Sequence, residues 1–520
     1  MEKLYFGLPG ARHSSGHFSK LPDYKILYFY RQSLYMSPLA ENIQAFFQSF
    51  KSDAVQTLEK LPKSGGDRVY FRIKTDTESY IITYNENIKE NIAFLNFTDH
   101  FHKIDAPVPQ ILMKHPDGKM YIQQDFGTVS LLNELEKHGQ SEYVYDLFKK
   151  SLRSLALLQI KGSDNFDFAD CLTSTEFGKQ AILSDLLYFK YYFLDTLKIP
   201  YDKEKLIDDF EALSNYLTHV EYKFFMFRDF QSRNIYVQNG EVHFIDYQGG
   251  MKGALQYDAA SLLWQARADL TQDWKNSLLE YYMDCVSEIL GQPVDRVRFV
   301  SQYNGYVLIR LMQVLGAYGF RGLFERKAQF LTSIPLALTN LKWFMANKKT
   351  GIALPEFERI LGLITQEEVV DRFRPAQANE STPLVVTINS FSYLKTGYPK
   401  EESRNGGGFV FDCRGMLNPG RFEEYKQITG RDKKVIDFLE QRTAMPEFLN
   451  GVYNIVDISV EDYIKRNFDS LTISFGCTGG QHRSVYAADT LARYLRNKFK
   501  VNIVVNHIEQ NIHETKGFGS

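Results

Sequence analysis

The spacing of apolar positions changes along the chain, and each change predicts a different kind of element. From Arg68 to Asn85, two runs rich in aromatic and β-branched residues, RVYFRIK and YIITYN, flank the polar stretch TDTES, the pattern of a β-hairpin. A helical pattern follows from Ile88 to Phe101, then a strand, MYIQQDFG, closed by an acidic-aromatic-glycine turn at Asp125 to Gly127. Residues 142–220 and 255–348 carry apolar positions three and four apart over long stretches, which predicts helices. A small β-rich lobe therefore precedes a large helical one. The segment RFRPAQANESTP (372–383) has little to bury and reads as a linker. Beyond it, LVVTINSF, GGGFVFDCRG and SLTISFGCTGG are short strands ending in polar or glycine-rich residues and separated by helical stretches, as in an α/β unit whose strand ends build a site. Residues 1–39 read as an N-terminal extension ahead of a helix at Ala40 to Phe50, which divides the chain into 1–39, 40–371, the linker 372–383, and 384–520.

Composition narrows the class. The 520 residues are 44% hydrophobic and 24% charged, as expected of folded domains with real cores. With 61 basic against 63 acidic residues, no whole-molecule attraction to nucleic acid or anionic lipid is expected. Cys171, Cys285, Cys413 and Cys477 form no CxxC pair, so neither a disulfide framework nor a zinc site is indicated, and a reducing cytoplasm fits. The N-terminus lacks the apolar core of a secretory signal, and no run approaches 18 consecutive apolar residues, so neither export nor membrane association is expected.

Candidate chemistry concentrates in FFMFRDFQSRNIYVQNGEVHFIDYQG (224–249): a strand, a tight loop, a hairpin and a strand ending in an acid. Phosphoryl transfer from ATP needs a carboxylate to accept the acceptor's proton, plus an amide and a second carboxylate to hold Mg²⁺ on the phosphates. Asp229, Asn234 and Asp246 supply these groups in the order of a kinase catalytic loop and metal-binding turn. Each taken alone also reads as a turn residue bonding its own backbone. Asp258, at the start of a helix, reads as structural support that caps backbone N–H groups.

With GGDRVYFRI (65–73), FRDFQSRN, HFIDYQGG, GALQYDAASLL (253–263) and LIRLMQVLGAYGFRGL (308–323), residues 40–350 resemble the aminoglycoside phosphotransferase/choline kinase superfamily. The likeness is greatest to its branch of cell-wall amino-sugar kinases, which phosphorylate N-acetylmuramate and N-acetylglucosamine at the anomeric carbon. The resemblance implies a bilobal, protein-kinase-like α+β fold, ATP and Mg²⁺ as cofactors, Asp229 as catalytic base, and Asn234 and Asp246 as metal ligands. It also places Gln124 and Asp125, at the end of their strand, beside the nucleotide. Two positions depart from the pattern: Phe227 stands where the catalytic loop usually has His, and YIITYN lacks the strand lysine that meets the ATP phosphates. Arg68 and Arg72 are candidate substitutes for that cation; either also reads as a solvated strand residue.

In the last 137 residues, ISFGCTGGQHRSVYAADTLARYL is a strand, a glycine loop and a helix starting near His482. Such a loop presents backbone N–H groups and a helix N-terminus to an anion. Cys477, Thr478, Gly479, Gly480, His482, Arg483 and Ser484 form the candidate phosphate-binding loop, with His482 and Arg483 supplying charge. The Cys-x5-Arg-Ser spacing is also that of cysteine-dependent phosphatases. With FVFDCRGMLNPG (409–420) and ITGRDKKVIDFL (428–439), the segment resembles the C-terminal domain of the RNase adapter family RapZ. That likeness implies a pocket for a phosphorylated amino sugar such as glucosamine 6-phosphate, in some members a regulatory RNA, and no phosphatase chemistry. Residues 384–520 hold 18 Lys/Arg against 16 Asp/Glu and end without a basic tail, which argues against RNA affinity. The family's N-terminal P-loop, GxxxxGK[ST], is missing.

The expectation is thus an ATP-dependent amino-sugar phosphotransferase joined to a domain that binds a phosphorylated amino sugar. The alternatives are a choline- or aminoglycoside-type kinase, and a non-catalytic adapter that binds nucleotide and RNA.

Overall fold

The computed structural model describes residues 39–61, 68–325, 328–331, 333–400 and 408–517. The expected extension up to residue 38, and Gly65, Gly66, Gly406 and Gly407 of the quoted motifs, lie outside them. The chain divides into two compact units, Met1–Asp53 and Ala54–Ser520. In the first, residues 39–50 form helix α1, whose buried Ile43, Phe46 and Phe47 share one face at helical spacing.

The second unit opens with a five-stranded antiparallel sheet in the order β1-β2-β3-β5-β4, made of β1 (Thr57–Lys60), β2 (Val69–Lys74), β3 (Ser79–Tyr84), β4 (Ile111–Lys114) and β5 (Met120–Gln124). The predicted hairpin is β2–β3, with Phe71 opposite Ile82 and Ile73 opposite Tyr80, the cross-strand pairs that hold a sheet together. Helix α2 (Ile88–Phe101) is capped by Asn87, whose side chain accepts from the Glu90 N–H, and buries Phe94, Phe97 and Phe101.

The helical lobe comprises α3 (Leu131–His138), α4 (Glu142–Lys161), α5 (Lys179–Phe189), α6 (Lys203–Thr218), α7 (Leu255–Leu263), α8 (Gln272–Leu290), α9 (Arg296–Tyr318), α10 (Ala328–Leu331), α11 (Ile334–Asn347), α12 (Pro355–Ile364) and α13 (Glu367–Val370). Two small antiparallel pairs interrupt it: β6 (Lys223–Met226) with β9 (Met251–Ala254), and β7 (Ile235–Gln238) with β8 (Glu241–Phe244). Helix α9 is buried on every side from Gln302 to Met312, which explains an apolar sequence that does not alternate with polar residues. Extended by its π turn, Arg296–Phe324 is long and apolar enough to cross a membrane, and 56% of its most apolar window is buried in the protein. Gly316 and Gly319 let it lie close against α5 and the π turn that follows α5 (Lys190–Leu194). A Cβ at Gly319 would sit 2.3 Å from the Tyr192 carbonyl oxygen, and one at Gly316 would sit 2.7 Å from Tyr188.

The remaining elements are β10 (Val385–Ser392), β11 (Gly408–Asp412), α14 (Lys433–Arg442), α15 (Met445–Lys465), β12 (Ser470–Cys477), α16 (Arg483–Phe499), β13 (Asn502–His507) and β14 (Ile512–Lys516). They form a mixed sheet in the order β11-β12-β10-β13-β14, parallel except for β14. Its core, from Ala378 to Val505, is distinct from that of the helical lobe, which ends at Phe373. The architecture is the expected one, an antiparallel sheet with a helical lobe and then a separate α/β domain. In that domain β12 is an interior strand between β11 and β10, and the loop leaving it lies at the carboxyl edge of the sheet, where such folds bind ligands.

Candidate functional site

The loop between β6 and β7 is held from beneath by Asp258 on α7. Its Oδ2 accepts from the Phe227 N–H at 2.7 Å and from Gln159 Nε2 at 2.9 Å, and its Oδ1 accepts from the Arg228 N–H at 3.0 Å. Burial pushes this carboxyl up to about 7, against the three bonds that favour its ionised form. Asp258 is therefore a support, as expected, but it caps the loop 30 residues upstream; its own helix has no side-chain cap. Arg228 takes the left-handed backbone conformation (φ +78°), and Asp185 on α5 clamps its guanidinium with two bonds of 2.9 and 3.0 Å. Phe227, in place of the usual His, is buried edge-on against Phe230, Phe244 and Tyr247, so an apolar ring does the supporting work.

So supported, the loop presents Asp229 half-buried, with Gln231 Nε2 donating to its Oδ1 at 2.9 Å. Asn234 Nδ2 donates to the Asp229 carbonyl at 2.9 Å and to Asp246 Oδ2 at 3.3 Å, which ties the two strand ends together. Asp246 is also left-handed (φ +69°) and accepts from Gln248 Nε2 at 2.9 Å. Burial raises the Asp246 carboxyl above its ordinary range, and the nearby Asp229 carboxylate adds to the shift. Asp246, influenced by the Asp229 carboxylate and beside the Asn234 amide, supplies oxygens that suit a cation. Among the described residues no three His, Cys, Asp or Glu side chains converge on a metal site. A divalent cation held by these groups would take its remaining ligands from phosphate and water.

Asn234 and Asp246 open onto a cavity of about 420 Å³ between the sheet and this loop. Leu61, Ile81, Tyr236 and Ile245 give it apolar walls for a planar ring. Arg68, Arg72, Gln124 and Asp125 all line it, but in different ways. Arg68, 6% exposed, lies 3.1 Å from Glu90 Oε1 of α2 and donates from Nη2 to the Glu90 carbonyl at 3.3 Å; its Nε has no partner with hydrogen-bond geometry. Arg72 is locked instead: Nε and Nη2 meet both Asp125 oxygens at 2.7 and 3.0 Å, and Nη2 also donates to the Gly127 carbonyl at 2.6 Å. Asp125 Oδ1 in turn accepts from the Gly127 N–H at 2.9 Å. The Gln124 side chain is exposed and accepts from the Gln110 N–H at 3.4 Å.

In the α/β domain, the loop Cys477–Ser484 joins β12 to α16. Gly480 is left-handed (φ +65°), and a Cβ there would lie 2.2 Å from Glu509 Cγ, so the turn needs glycine. Cys477 Sγ accepts from the Gly480 N–H at 3.2 Å and lies 3.2 Å from Ser484 Oγ, with 2% of the residue exposed. His482 caps α16 without a side-chain bond to it, which leaves the first N–H groups of the helix to an anion. The two side chains expected to supply charge are arranged otherwise. His482 is buried with Nε2 2.8 Å from the Tyr425 carbonyl, and burial lowers its pKa, which favours the neutral imidazole. Arg483 is 3% exposed and sends Nη1 to the carbonyls of Cys413, Arg414 and Met416 at 3.4, 3.2 and 2.8 Å. Its Nη2 reaches Thr478 Oγ1 at 3.2 Å, and its Nε is buried without a partner.

Glu90, Asp185, Gln231 and Gln248 are site residues that the sequence reading did not single out. The glutamines carried a signal: Asp229-Phe230-Gln231 and Asp246-Tyr247-Gln248 repeat one tripeptide pattern, and in each the amide bonds the acid two residues before it.

Residues 384–511 match the family model described as the RapZ C-terminal domain. A nucleotide-binding protein of Alkaliphilus oremlandii (strain OhILAs) is 35% identical over 136 residues, 26% of this chain and 44% of that protein. One of Fervidobacterium nodosum is 36% identical over 126 residues, 24% of this chain and 43% of that protein. The chain thus spans less than half the length of these relatives. Similar solved structures include a choline kinase from Streptococcus pneumoniae, with TM-score 0.36 and 13% identity over 59% of this chain and 99% of that one. An aminoglycoside phosphotransferase in complex with gentamicin gives TM-score 0.39 and 14% identity over 57% and 95%. A kinase of amicoumacin with AMP-PNP and Ca²⁺ gives 0.39 and 10% over 62% and 90%. In one chain, then, an antiparallel sheet and a helical lobe precede a domain that matches the RapZ C-terminal family model over residues 384–511.

Proposed function

We propose that the chain is an ATP-dependent phosphotransferase for an amino sugar of the N-acetylmuramate or N-acetylglucosamine type. The carrying observation is that Asn234 and Asp246 line a cavity of nucleotide size while Asn234 ties Asp246 to the backbone of Asp229. Asp229 accepts the acceptor's hydroxyl proton as its oxygen bonds the γ-phosphorus and the bond from that phosphorus to ADP breaks. Asn234 and Asp246 would hold Mg²⁺, which supplies charge neutralisation on the phosphates. Arg68, which lines the same cavity as Asp246 and pairs with Glu90, takes the place of the missing strand lysine. Arg72 and Asp125 position the turn at Gly127 and contact each other in place of the nucleotide. The sugar class rests on the sequence resemblance over residues 40–350.

In the second domain the proposed ligand is a phosphorylated amino sugar such as glucosamine 6-phosphate, held by the glycine-loop and helix N–H groups. Arg483 braces that loop against residues 413–416. Neither RNA nor a membrane is part of this reading, and the four buried thiols suit a reducing cytoplasm. An ADP-release screen of the full chain over amino sugars, choline and aminoglycosides tests it. Turnover confined to choline or an aminoglycoside would favour the cationic-acceptor alternative, and no turnover at all would favour the adapter.

A further inference from the structure

Arg68, Arg72 and Arg233 all line the cavity that Asn234 and Asp246 open onto, and the fold engages the first two. Arg68 faces the Glu90 carboxylate at 3.1 Å, and Arg72 is locked to Asp125 by two bonds. Arg233 is exposed, and its side chain has neither an ion pair nor a hydrogen bond among the described residues. An unpaired surface arginine is ordinary; what sets this one apart is the backbone that carries it. It sits in the middle of a 3-10 turn, Ser232–Asn234, that is pinned on both sides. Gln265 Oε1 accepts from the Ser232 N–H at 3.1 Å and from its hydroxyl at 2.7 Å. The Asn234 N–H donates to the Gln231 carbonyl at 2.8 Å, and the Asn234 carbonyl accepts from the Ile245 N–H at 3.1 Å. Ser232 and Asn234 are both buried, so the root of Arg233 is fixed while its head group stays uncommitted at the cavity. Burial raises the Asp246 carboxyl and the charge of Arg233 works against that rise, which puts the two side chains within electrostatic reach.

We propose that Arg233 is a phosphate-binding residue that grips the terminal phosphate of a bound nucleoside triphosphate. This rests on the phosphotransferase reading above and deepens it. With Arg68 and Arg72 already neutralised by carboxylates, Arg233 brings an uncompensated positive charge to the cavity. Its planar fork matches two phosphate oxygens. The phosphate that is transferred must lie nearest Asp229, and Arg233 stands in the loop between Asp229 and Asp246 that Asn234 ties together, so it meets the γ-phosphate before the α- or β-phosphate.

The test is calorimetric titration of the full chain in MgCl₂, without any acceptor, using the non-hydrolysable triphosphate AMP-PNP and, separately, ADP. Arg233→Met should lower the affinity for AMP-PNP at least about tenfold while that for ADP changes little, the scale for losing a charge-assisted contact. Arg233→Lys should restore part of the difference, because it returns the charge without the fork. No partner within the fold is lost, so the urea midpoint of Arg233→Met should match wild type; Arg233→Gln serves the same comparison should the Met variant be unsound. A ratio of AMP-PNP to ADP affinity that is unchanged, whether neither nucleotide is affected or both weaken alike, overturns the proposal and leaves the phosphotransferase reading standing. Wild-type chain that binds neither nucleotide would sink that reading and the proposal with it.

Discussion

Replacing Asp258 by Ala should weaken the lobe and the chemistry together. The carboxylate accepts from three donors, the N–H groups of Phe227 and Arg228 and Gln159 Nε2, and Asp258 is fully buried. Each buried donor left without a partner costs about 1–3 kcal/mol. Loss of a buried carboxyl's own desolvation penalty offsets part of the sum, so a net loss of about 3–5 kcal/mol is expected, the range for breaking a buried charged contact. Asp258→Asn keeps the shape but turns an amide N–H₂ toward one of the donors, for a smaller loss of about 1–3 kcal/mol. The three tryptophans, Trp264, Trp274 and Trp343, all lie in the helical lobe, so urea unfolding followed by tryptophan fluorescence reports on this region and leaves the α/β domain silent. Because Asp258 fixes the backbone just before Asp229, kcat should fall by about tenfold or more in Asp258→Ala. Stability within about 1 kcal/mol of wild type, with kcat unchanged, would refute the supporting role.

Other outcomes follow from the same contacts. Because burial lifts the Asp258 carboxyl to about 7 from the ordinary aspartate range, the folded state binds the extra proton between about pH 4 and 7. Its contribution to stability is therefore greatest at acid pH and is lost as pH rises through about 7, and Asp258→Asn should flatten that slope in urea titrations. Arg68→Met should lower kcat by roughly 10²–10³-fold through loss of a cation near the phosphates, measured by ADP release. Arg72→Met strands the Asp125 carboxylate, so it should cost about 3–5 kcal/mol and raise the KM for ATP. In the α/β domain, Gly480→Ala should weaken glucosamine 6-phosphate binding in calorimetry of the full chain, whereas Cys477→Ser should leave it nearly unchanged. Phosphate release that vanishes in Cys477→Ser would revive the phosphatase reading.

The parts that could be read from the sequence are those written in local spacing. The β2–β3 hairpin followed from two runs rich in aromatic and β-branched residues around TDTES, and that Asn234 contacts both Asp229 and Asp246 agrees with their order within 18 residues of chain. What escaped is pairing across distance. Arg68 and Arg72 look alike as strand residues, and only the fold shows one beside Glu90 and the other locked to Asp125, 53 residues away. Arg483 looked like a free phosphate fork because its carbonyl partners lie 67 to 70 residues earlier. His482 looked like a source of charge because burial has no mark in the sequence. Asp258 was recognised as a cap, but the helix it opens was nearer in sequence than the loop it holds.

The central claim is that Asp229 is the base of a sugar-phosphorylating site, and replacing it by Asn tests that claim most directly. The full chain and its Asp229→Asn variant are incubated with ATP, MgCl₂ and N-acetylmuramate or N-acetylglucosamine, and sugar phosphate is followed by ³¹P NMR. An amide fills the same space but cannot take the hydroxyl proton, so turnover should fall on the order of 10²- to 10⁴-fold with nucleotide affinity and the urea midpoint preserved. Sugar phosphate formed by Asp229→Asn at close to the wild-type rate would contradict the account.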